Sequence, residues 1–404
     1  MIRTPVWVGA TALCAAVVST GAAALPRASA APAPTAPAPT APAPTAPAPP
    51  PTISALTFTA PPGASLDNPQ GIAADHGTVY VSNTADNVVA SIVGSTTATI
   101  AGSYEGTGET GDGGPATSAT LDSPAGTAIG RSGDLYIADT QDNAVREITR
   151  DGTIHLVAGN GTEGYSGDGG QATQAELDNP QDVAVNNRGD VFIADTYNNV
   201  IREVTPSGRI TTYAGTGTAG YSGDGGVATQ ADLDSPTGVA VDSFDNLYIA
   251  DASNNVIRRV SAFGVMSTVA GNYAADQATG GLGGFSGDGG PATDAQLNSP
   301  QGVAVDRSGD LFIADTFNNA LREVTRNGTI TTVVNTTGKK GSSGNGGAAT
   351  AAELNTPYAV AVDNTTGDAY VADTSNNRIR VVTGLPVPGW PAPGPGPTPP
   401  PQHH

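Results

Sequence analysis

Carboxylates recur at a fixed place in a glycine-rich segment of the sequence. The segment reads Gly-Asp-Gly-Gly four times, and its aspartates are Asp112, Asp168, Asp224 and Asp288. Carboxylate oxygens are ligands that Ca²⁺ prefers, so the pattern suggests a calcium site. The spacing fits neither an EF-hand loop nor a Gly-Gly-x-Gly-x-Asp repeat, and the fifth copy has Asn345. We favour the structural alternative, in which each aspartate caps the short helical turn that follows and the glycines adopt positive φ.

A second repeated set joins aspartate and asparagine within a predicted turn. The pairs are spaced four residues apart, at Asp139/Asn143, Asp195/Asn199, Asp251/Asn255, Asp315/Asn319 and Asp373/Asn377. An arginine follows each pair at constant spacing and is a candidate ion-pair partner: Arg146, Arg202, Arg258, Arg322 and Arg380. Asp and Asn side chains commonly bond their own backbone in turns. Five copies are more typical of architecture than of one catalytic centre, so we favour a structural role.

Groups suited to nucleophilic or zinc chemistry are scarce. His76 and His155 are the only histidines before the terminal His403 and His404, too few for a zinc cluster or a catalytic triad. Cys14 is the only cysteine, and it lies in an N-terminal apolar run. No catalytic residue is therefore predicted. A chain cleaved after residue 30 would rely on packing and strand pairing without disulfides.

The elements that position these residues form six repeated units. A Pro-x-Gly type of start recurs at intervals of 55, 56, 56, 64 and 57 residues, at Pro69, Pro124, Pro180, Pro236, Pro300 and Pro357. Each unit contains four short runs rich in β-branched and aromatic residues, which in the third unit are 182–185, 190–194, 200–204 and 210–214. Such runs between Gly, Asn and Pro predict strands joined by tight turns. The period slightly exceeds the roughly 40–50 residues of common propeller blades, and one long loop per unit accounts for the excess.

The sequence thus predicts an all-β fold, a six-bladed β-propeller with four-stranded antiparallel blades over residues 55–383. The last unit has three strand signals and ends at Val382, whereas an unmatched strand at 55–59 precedes the first unit. We expect this N-terminal strand to complete the last blade, because closure pairs sheet edges that would otherwise promote aggregation.

The repeated segments resemble those of a known family. Pro-x-Gly-Val-Ala-Val-Asp, Gly-Asp-Leu-Tyr-Ile-Ala-Asp-Thr and Asn-Asn-x-Ile-Arg resemble NHL repeats, and the resemblance covers most of the chain. The long Gly-Tyr-Ser-Gly-Asp-Gly-Gly-x-Ala-Thr loop is similar to that of bacterial secreted NHL proteins and of the teneurin NHL propeller. The resemblance implies a propeller but no single function, because such propellers serve as protein-binding, RNA-binding and enzyme scaffolds.

The segments outside the repeats predict export. Residues 1–30 are typical of a secretory signal peptide, with Arg3, an apolar run at 6–24 and small residues at 28–30. A retained membrane anchor is the alternative. Residues 31–54 form an Ala/Pro/Thr-rich linker and 384–404 a Pro-rich tail, both typical of extended spacers. We expect a secreted protein with no membrane span after signal removal, and a spacer suited to cell-wall association.

Charge restricts the class of partner. Without residues 1–30 the chain carries 15 basic and 37 acidic residues, a formal charge of −22. Such a chain repels phosphate backbones, which argues against nucleic acid. It attracts cations and basic groups, so we expect a protein or cell-envelope component with basic residues as the partner.

Alternating strand directions predict two unlike ends of the blades. One end carries the long loops and the Asp-Thr-x-Asn-Asn turns, and the other carries the tight turns with most of the remaining arginines. Binding usually resides in long loops on a rigid frame, so we predict an acidic partner face on the long-loop end. Its residues are Asp112, Tyr165, Asp168, Tyr221, Asp224, Phe285 and Asp288. Packing between neighbouring blades is the alternative role for the aromatic residues.

Differences between units point to the mouth of the central channel. The position after each conserved proline differs between blades, and the next position is Asp182 in the third unit where four units have glycine. A unique acid beside a channel is what a specific ligand or a single metal ion would need, whereas unselected variation is the alternative. The candidate ligand-binding residues are Gln70, Gln181, Asp182, Thr237, Gln301 and Tyr358.

Two functions follow from these features. The leading hypothesis is an exported, non-catalytic binding or scaffold propeller at the cell envelope, with its partner on the acidic long-loop face. The alternative is a calcium-assisted enzyme of the lactonase or lyase type at the channel mouth, a chemistry that the resemblance to six-bladed propellers implies. Calcium is the one candidate cofactor, and Asp182 is the one residue that distinguishes the mouth chemically.

Overall fold

The computed structural model describes residues 49–57, 65–104 and 106–385, which form six antiparallel sheets. The innermost strand of every sheet lines one central channel, so the sheets are the blades of a propeller. The predicted six-bladed, all-β fold with four-stranded blades is confirmed. The predicted signal peptide 1–30, most of the linker and tail residues 386–404 lie outside the described residues.

Strand β1 (Thr52–Ala55) precedes the first blade. Blade 1 contains β2 (Pro69–Asp75), β3 (Thr78–Asn83), β4 (Val88–Val93) and β5 (Thr96–Gly102). Blade 2 contains β6 (Pro124–Ile129), β7 (Leu135–Asp139), β8 (Ala144–Ile148) and β9 (Ile154–Ala158). Blade 3 contains β10 (Pro180–Val185), β11 (Val191–Asp195), β12 (Val200–Val204) and β13 (Ile210–Ala214).

The second half of the ring repeats this order. Blade 4 contains β14 (Pro236–Val241), β15 (Leu247–Asp251), β16 (Val256–Val260) and β17 (Met266–Ala270). Blade 5 contains β18 (Pro300–Val305), β19 (Leu311–Asp315), β20 (Ala320–Val324) and β21 (Ile330–Val334). Blade 6 contains β22 (Gly347–Ala348), β23 (Pro357–Asp363), β24 (Asp368–Asp373) and β25 (Arg378–Thr383), and β1 lies between β22 and β25, so this sheet has five strands. Helix α1 (Tyr273–Ala278) lies in the longest inter-blade loop, where the Asn272 side chain caps it by accepting from the Ala275 amide.

Short 3₁₀ helices fill the connections. One group follows the second strand of a blade, at Thr84–Asp86, Thr196–Asn198, Ala252–Asn254, Thr316–Asn318 and Thr374–Asn376. The other group precedes the first strand, at Ala116–Ser118, Ala172–Gln174, Ala228–Gln230, Ala292–Asp294 and Ala349–Ala351. Among the described residues, no helix has the length and apolar character that a bilayer crossing requires.

The N-terminal strand closes the ring as predicted. β1 pairs antiparallel with β25, with Ile53 opposite Val382, and the Leu56 amide donates to the Ile379 carbonyl at 2.8 Å. The strand begins at Thr52, three residues before the expected start, and residues 58 and 59 lie outside the described part of the chain. The register follows from Ile53, which is buried in the core between blades 5 and 6.

Apolar side chains join neighbouring blades rather than filling a single centre. Phe192 and Ile201 of blade 3 pack with Leu247 and Met266 of blade 4, and six such clusters complete the circle. Each buried Leu, Ile or Phe contributes roughly 1.5–3 kcal/mol. Inner strands are covered on both faces, which explains why β11 is buried at every residue instead of alternating.

Polar side chains in the turns also connect blades. Asn199 adopts φ 56°, which Asn tolerates better than most residues, and its Oδ1 accepts from the Ser235 amide of blade 4 at 2.9 Å. The Thr196 hydroxyl donates to the Pro236 carbonyl of the same neighbour at 2.8 Å. Asn87, Asn143, Asn255, Asn319 and Asn377 make the equivalent bond in the other blades. The expected bond to the backbone of the same turn is present for Asn199 and Asn319, whose Nδ2 donates to the Tyr197 and Phe317 carbonyls at 3.4 Å, and the bond to the next blade is an additional contact.

Candidate functional site

A buried arginine lies at the centre of the polar network in blade 3. Arg202 is on β12 and fully buried, with Nη1 3.3 Å from Asp195 Oδ2 and Nη2 2.8 Å from Asp168 Oδ1. Nη2 also donates to the Ser166 carbonyl at 2.9 Å. Asp195 is fully buried, whereas the side chain of Asp168 is nearly half exposed. The predicted pairing of the arginine with the turn aspartate is confirmed.

Three further blades contain the same arginine–aspartate cluster. The arginine and its two carboxylates are Arg146 with Asp112 and Asp139, Arg258 with Asp224 and Asp251, and Arg322 with Asp288 and Asp315. An aromatic ring covers the guanidinium in three of the four: Tyr165 at 5.1 Å from Arg202, Tyr221 at 4.7 Å from Arg258 and Phe285 at 5.1 Å from Arg322. These contacts are within cation–π range, so the aromatics stabilise the buried charge.

The Gly-Asp-Gly-Gly aspartates therefore bind arginines and cap no helix. The residue that precedes the 3₁₀ turn in blade 3 is Gln171, and its side chain makes no capping bond. The capping prediction was wrong, because an arginine distant in sequence competes for the carboxylate. The glycine prediction is confirmed, since Gly167 and Gly169 have φ of 90° and 82°.

Burial and hydrogen bonding have opposite effects on the pKa of the buried aspartate in each cluster. Burial raises the pKa of Asp195 to about 6, and donors from the Asp178 amide, Asn198 and Arg202 oppose part of the rise. The carboxylate is consequently ionised at pH 7 and forms an ion pair with Arg202. Removing one partner of a buried ion pair typically costs about 3–5 kcal/mol, so the cluster is a structural requirement.

The segments that carry these aspartates run along the outer rim of the blades. The Gly169 amide donates to the Ile210 carbonyl at 2.8 Å, and Ile210 donates back to Gly170 at 3.1 Å. Gln171 pairs with Arg209, the residue that precedes the outermost strand β13 at the tight-turn end. The predicted partner-face residues thus lie beside the outermost strands, with their inner atoms engaged by arginines. Their role in binding stays a prediction.

The central channel brings the predicted mouth residues together. It encloses about 200 Å³, and Gln70, Gln181, Asp182, Thr237, Gln301 and Tyr358 line it together with apolar residues of all six first strands. The Tyr358 hydroxyl donates to Gln181 Oε1 at 2.8 Å, a bond from blade 6 to the opposite blade 3. Thr237 Oγ1 donates to the Gln301 carbonyl at 2.9 Å. The mouth is therefore bridged by its own side chains.

Asp182 is inserted between blades instead of projecting freely into the channel. A Cβ on Gly126 would lie 2.0 Å from Asp182 Oδ1, so the glycine of blade 2 provides the space for the carboxyl. Oδ1 accepts from the Val183 amide and Oδ2 from the Val239 amide of blade 4, both at 2.9 Å. Burial raises the pKa of Asp182 to about 7, and these two amides oppose part of the rise.

This donor set does not fit calcium. Ca²⁺ takes about 6–8 oxygen ligands, commonly from several carboxylates. Asp182 is one carboxyl whose two oxygens already accept from backbone amides. Across the described ranges, no three His, Cys, Asp or Glu side chains are grouped as metal ligands.

Three residues outside the predicted site sets form a surface on the mouth end of blade 3. Tyr197 is 65% exposed in the turn after β11, and its amide donates to the Asp178 carbonyl at 3.2 Å. Burial and the nearby Glu163 charge raise the pKa of Asp178. Phe317 is 60% exposed at the equivalent position of blade 5, where other blades have Ala85, Gln141, Ser253 and Ser375. We name Glu163, Asp178 and Tyr197 the mouth-side patch. The aromatic residue at a turn position that is small or polar in four other blades is the sequence signal that could have revealed this patch.

Carboxylates are crowded elsewhere on this end of the blades. Burial and the Asp122 charge raise the pKa of Asp142, and the Asp67 charge adds to the burial that raises the pKa of Asp86. In the part of the chain that the structure describes, neither Glu163 nor Asp178 lies within ion-pair distance of a cation. Glu163 and Asp178 are consequently acidic groups without a counter-ion among the described residues.

Comparison with known proteins agrees with the repeat structure. The profile of the teneurin NHL domain matches residues 160–221, 216–282 and 276–343, and that of the NHL repeat matches 354–382. Teneurin-1 of Mus musculus is 31% identical over 280 residues, which are 62% of this chain and 10% of the teneurin. The chain thus spans about a tenth of the length of the teneurins it matches.

Solved structures share the architecture at low identity. A protein from Bacteroides thetaiotaomicron has a TM-score of 0.59 at 14% identity, over 82% of this chain and 75% of that one. A gluconolactonase from Xanthomonas campestris has a TM-score of 0.50 at 15% identity, over 84% of this chain and 98% of that one. At such identities the likeness concerns the fold alone.

Proposed function

Because the chain belongs to the NHL-repeat β-propellers, we propose that it acts as an exported, non-catalytic binding scaffold at the cell envelope. Its partner is a protein or envelope component that presents basic residues. The leader-like residues 1–30 and the Pro-rich linker motivate the location, secreted and associated with the cell wall. The partner docks on the mouth end of the blades, which belongs to the predicted long-loop face.

The observation that carries this proposal is the mouth-side patch. Glu163 and Asp178 are close enough that their charges repel, and no cation of the described residues offsets them. Tyr197 stands beside them with most of its ring exposed. A lysine or arginine of a partner would relieve the repulsion and stack on the ring, a combination typical of binding hot spots. The repeated arginines are unavailable to compete, because they are buried in their clusters.

Charge reversal tests the docking surface. The double variant Glu163→Lys/Asp178→Lys and the single variant Tyr197→Ala alter groups that hold no buried arginine, so folding should be preserved. We expect each to weaken capture of basic envelope proteins by the immobilised chain at least tenfold, a loss equivalent to about 1.4 kcal/mol. The readout is quantitative pull-down from envelope extracts at several salt concentrations.

The matched control is Asp75→Lys/Asp294→Lys, which makes the same change in net charge on exposed residues away from the patch. Capture that survives the patch variants, or that falls equally in the control, would refute this docking surface. Reversal of Asp168, Asp224 or Asp288 is unsuitable for this test, because each carboxylate holds a buried arginine.

A second candidate, an enzyme of the lactonase or lyase type, is favoured by one observation. Asp182 lines the channel and its pKa of about 7 suits proton transfer near neutral pH. The test is turnover of a panel of lactones by the purified chain, with and without added calcium. Turnover that disappears in Asp182→Asn at unchanged melting temperature would support the enzyme. No turnover in any condition would exclude it for that substrate class.

A further inference from the structure

Blade 4 differs from the other blades at its tight-turn end. Phe263 is 94% exposed and Phe244 is 67% exposed, and Val227 and Val265 are exposed beside them. In blade 3 the corresponding residues are Ser207, Arg188, Gln171 and Arg209. Exposed apolar groups are common singly, but a group on one blade end is typical of an interaction site.

The four residues form one patch. Val227 and Val265 are opposite each other in a β-bridge between the loop and the outer strand. The Ala262 amide donates to Asn246 Oδ1 at 3.3 Å, which brings the turn of Phe263 next to the turn of Phe244. We name Val227, Phe244, Phe263 and Val265 the blade 4 patch.

A groove of about 370 Å³ adjoins this patch between blades 4 and 5. Phe244, Tyr248 and Val269 line it from blade 4, with Leu311 and Val324 from blade 5. Val269 lines the groove and leaves it open on the side of blade 4. In blade 3 the equivalent residue is Tyr213, whose ring packs edge-on against Phe192 at 4.8 Å and fills the same position.

The groove carries positive charge where the sister blades are acidic. Arg259 lines it at the position that is occupied by Glu147, Glu203 and Glu323 in blades 2, 3 and 5. Arg259 Nε is buried without an acceptor, and neither Arg259 nor the exposed Arg326 has a carboxylate within ion-pair distance in the described ranges.

One acid also lines the groove, and its oxygens are occupied. Asp242 accepts from the Phe244 and Asn246 amides, from Asn246 Nδ2 at 2.8 Å and from the Tyr248 hydroxyl at 3.3 Å. Its charge is therefore distributed over a turn of its own blade. Arg259 also hydrogen-bonds the Tyr248 hydroxyl, but no carboxylate of the described residues neutralises either guanidinium, so both can receive an outside anion in a chain whose formal net charge is −20.

We propose that this groove binds a peptide segment of a partner protein in which a carboxylate stands next to apolar or aromatic side chains. The carboxylate pairs with Arg259 and Arg326, which present the planar donors that match two oxygens. The apolar side chains cover the blade 4 patch and enter the space above Val269. Phosphate-rich partners are disfavoured by the acidity of the rest of the chain. This site is at the opposite end of the blades from the mouth-side patch, so the proposal for the groove does not depend on the proposed docking surface.

A peptide titration tests the groove. The probe is a short fluorescent peptide that alternates aspartate with phenylalanine and leucine, and the comparison peptide has lysine in place of aspartate. Anisotropy with the purified chain should show saturable binding of the acidic peptide only. Arg259→Glu introduces the residue that three other blades have at this position, and Val269→Tyr and Phe263→Ser introduce the residues of blade 3. We therefore expect all three variants to fold.

Each of these variants should weaken binding about tenfold or more. Arg150→Glu changes an arginine on the tight-turn end of blade 2 and should leave binding unchanged. The proposal fails if the acidic peptide does not bind saturably, if the lysine peptide binds equally, or if Arg150→Glu has the effect of Arg259→Glu. It also fails if the chain is a dimer that Phe263→Ser dissociates, since a second copy would then cover the patch.

Discussion

Blades 2 to 5 and the two blades at the seam hold their loops in different ways. In blades 2 to 5 a buried arginine binds two aspartates, one from the blade and one from the preceding loop. Blade 6 keeps Arg380 with Asp373, but Asn345 replaces the loop aspartate. Blade 1 has Ala90 in the arginine position and Asn83 in the aspartate position.

The difference shows what the arginine does. Blade 1 is preceded by no Gly-Asp-Gly-Gly segment and needs no arginine to hold one. The loop of blade 6 keeps the backbone bonds that the other loops make, but its partner is the closing strand: the Gly346 amide donates to the Ile53 carbonyl at 2.8 Å and the Ala349 amide to Pro51 at 2.9 Å. Arg380 Nη2 still donates to the Ser343 carbonyl of the loop at 3.3 Å. The cluster is therefore a device for fixing a long loop to the rim, and blade 6 lacks only its loop carboxylate.

Removing the arginine of blade 3 should have the largest effect. Arg202→Met leaves Asp195 buried without its counter-ion, so we expect a loss of about 3–5 kcal/mol in the free energy of unfolding. Urea denaturation measures it, and Asp195→Asn in the same chain should recover part of the loss. The exposed Arg209→Met is the control and should change stability by less than about 0.5 kcal/mol. Equal values for the two arginine variants would remove the basis of the comparison.

The stability of the seam should depend on an apolar contact of the closing strand, whereas the loops of blades 2 to 5 depend on charged clusters. Ile53→Ala removes buried methyl groups from the closing strand, and such truncations cost about 2–5 kcal/mol. We expect about 3 kcal/mol in thermal or urea unfolding. Thr57→Ala changes an exposed neighbour and serves as the control. An unchanged melting temperature in Ile53→Ala would mean that β1 contributes nothing to closure.

The third strand of blade 5 carries a buried glutamate that the seam blades lack, and its ionisation should make stability depend on pH. Burial and the Asp310 and Asp306 charges raise the pKa of Glu323 in blade 5 to about 7, whereas the seam blades have Ser91 and Val381 at this position. The folded state then binds more protons than the unfolded chain between about pH 4.3 and 7. Stability should therefore fall as pH rises through this window and level off above it.

Glu323→Gln should flatten that profile. At pH 8 we expect the variant to be more stable than the parent by about 3–4 kcal/mol, since a rise in pKa from 4.5 to about 7 is equivalent to about 1.4 kcal/mol for each pH unit that it spans. At pH 4 the two should be similar. Melting temperatures across pH 4 to 8 measure the difference, with the exposed Glu163→Gln as the control. Parallel profiles for parent and Glu323→Gln would show that Glu323 ionises as freely in the folded chain as outside it.

The smallest effect should come from repairing blade 6. Asn345→Asp supplies the loop carboxylate that Arg380 lacks, and we expect a gain of about 1 kcal/mol in urea unfolding, because the new partner is a buried guanidinium. Asn160→Asp adds the same charge at an exposed position whose side chain contacts no arginine, and should give no gain. A loss of stability in Asn345→Asp would mean that the closing strand leaves the loop no freedom to approach Arg380.

The strands and turns were predictable because their causes are local. Alternating runs such as Val-Phe-Ile-Ala-Asp form strands, and Asn-Asn and Gly positions bend the chain where left-handed backbone is required. The six-fold recurrence of these parts predicted the ring, and the spare N-terminal strand predicted its closure. The exact start of that strand depended on which apolar residue could reach the core, and that proved to be Ile53.

The sequence by itself determined the repeat, the blade number, the acidic balance and the pairing of arginine with the turn aspartate. Only the tertiary structure decided what each repeated side chain binds. Asp168 binds Arg202, which lies 34 residues away in the sequence, and the Oδ1 of Asn199 accepts from the backbone of the next blade. The groove of blade 4 also depends on the folded ring, because Val269 and Arg259 of blade 4 line it together with residues of blade 5. Contacts between separate blades depend on how the blades pack, and the sequence pattern within one blade does not predict them.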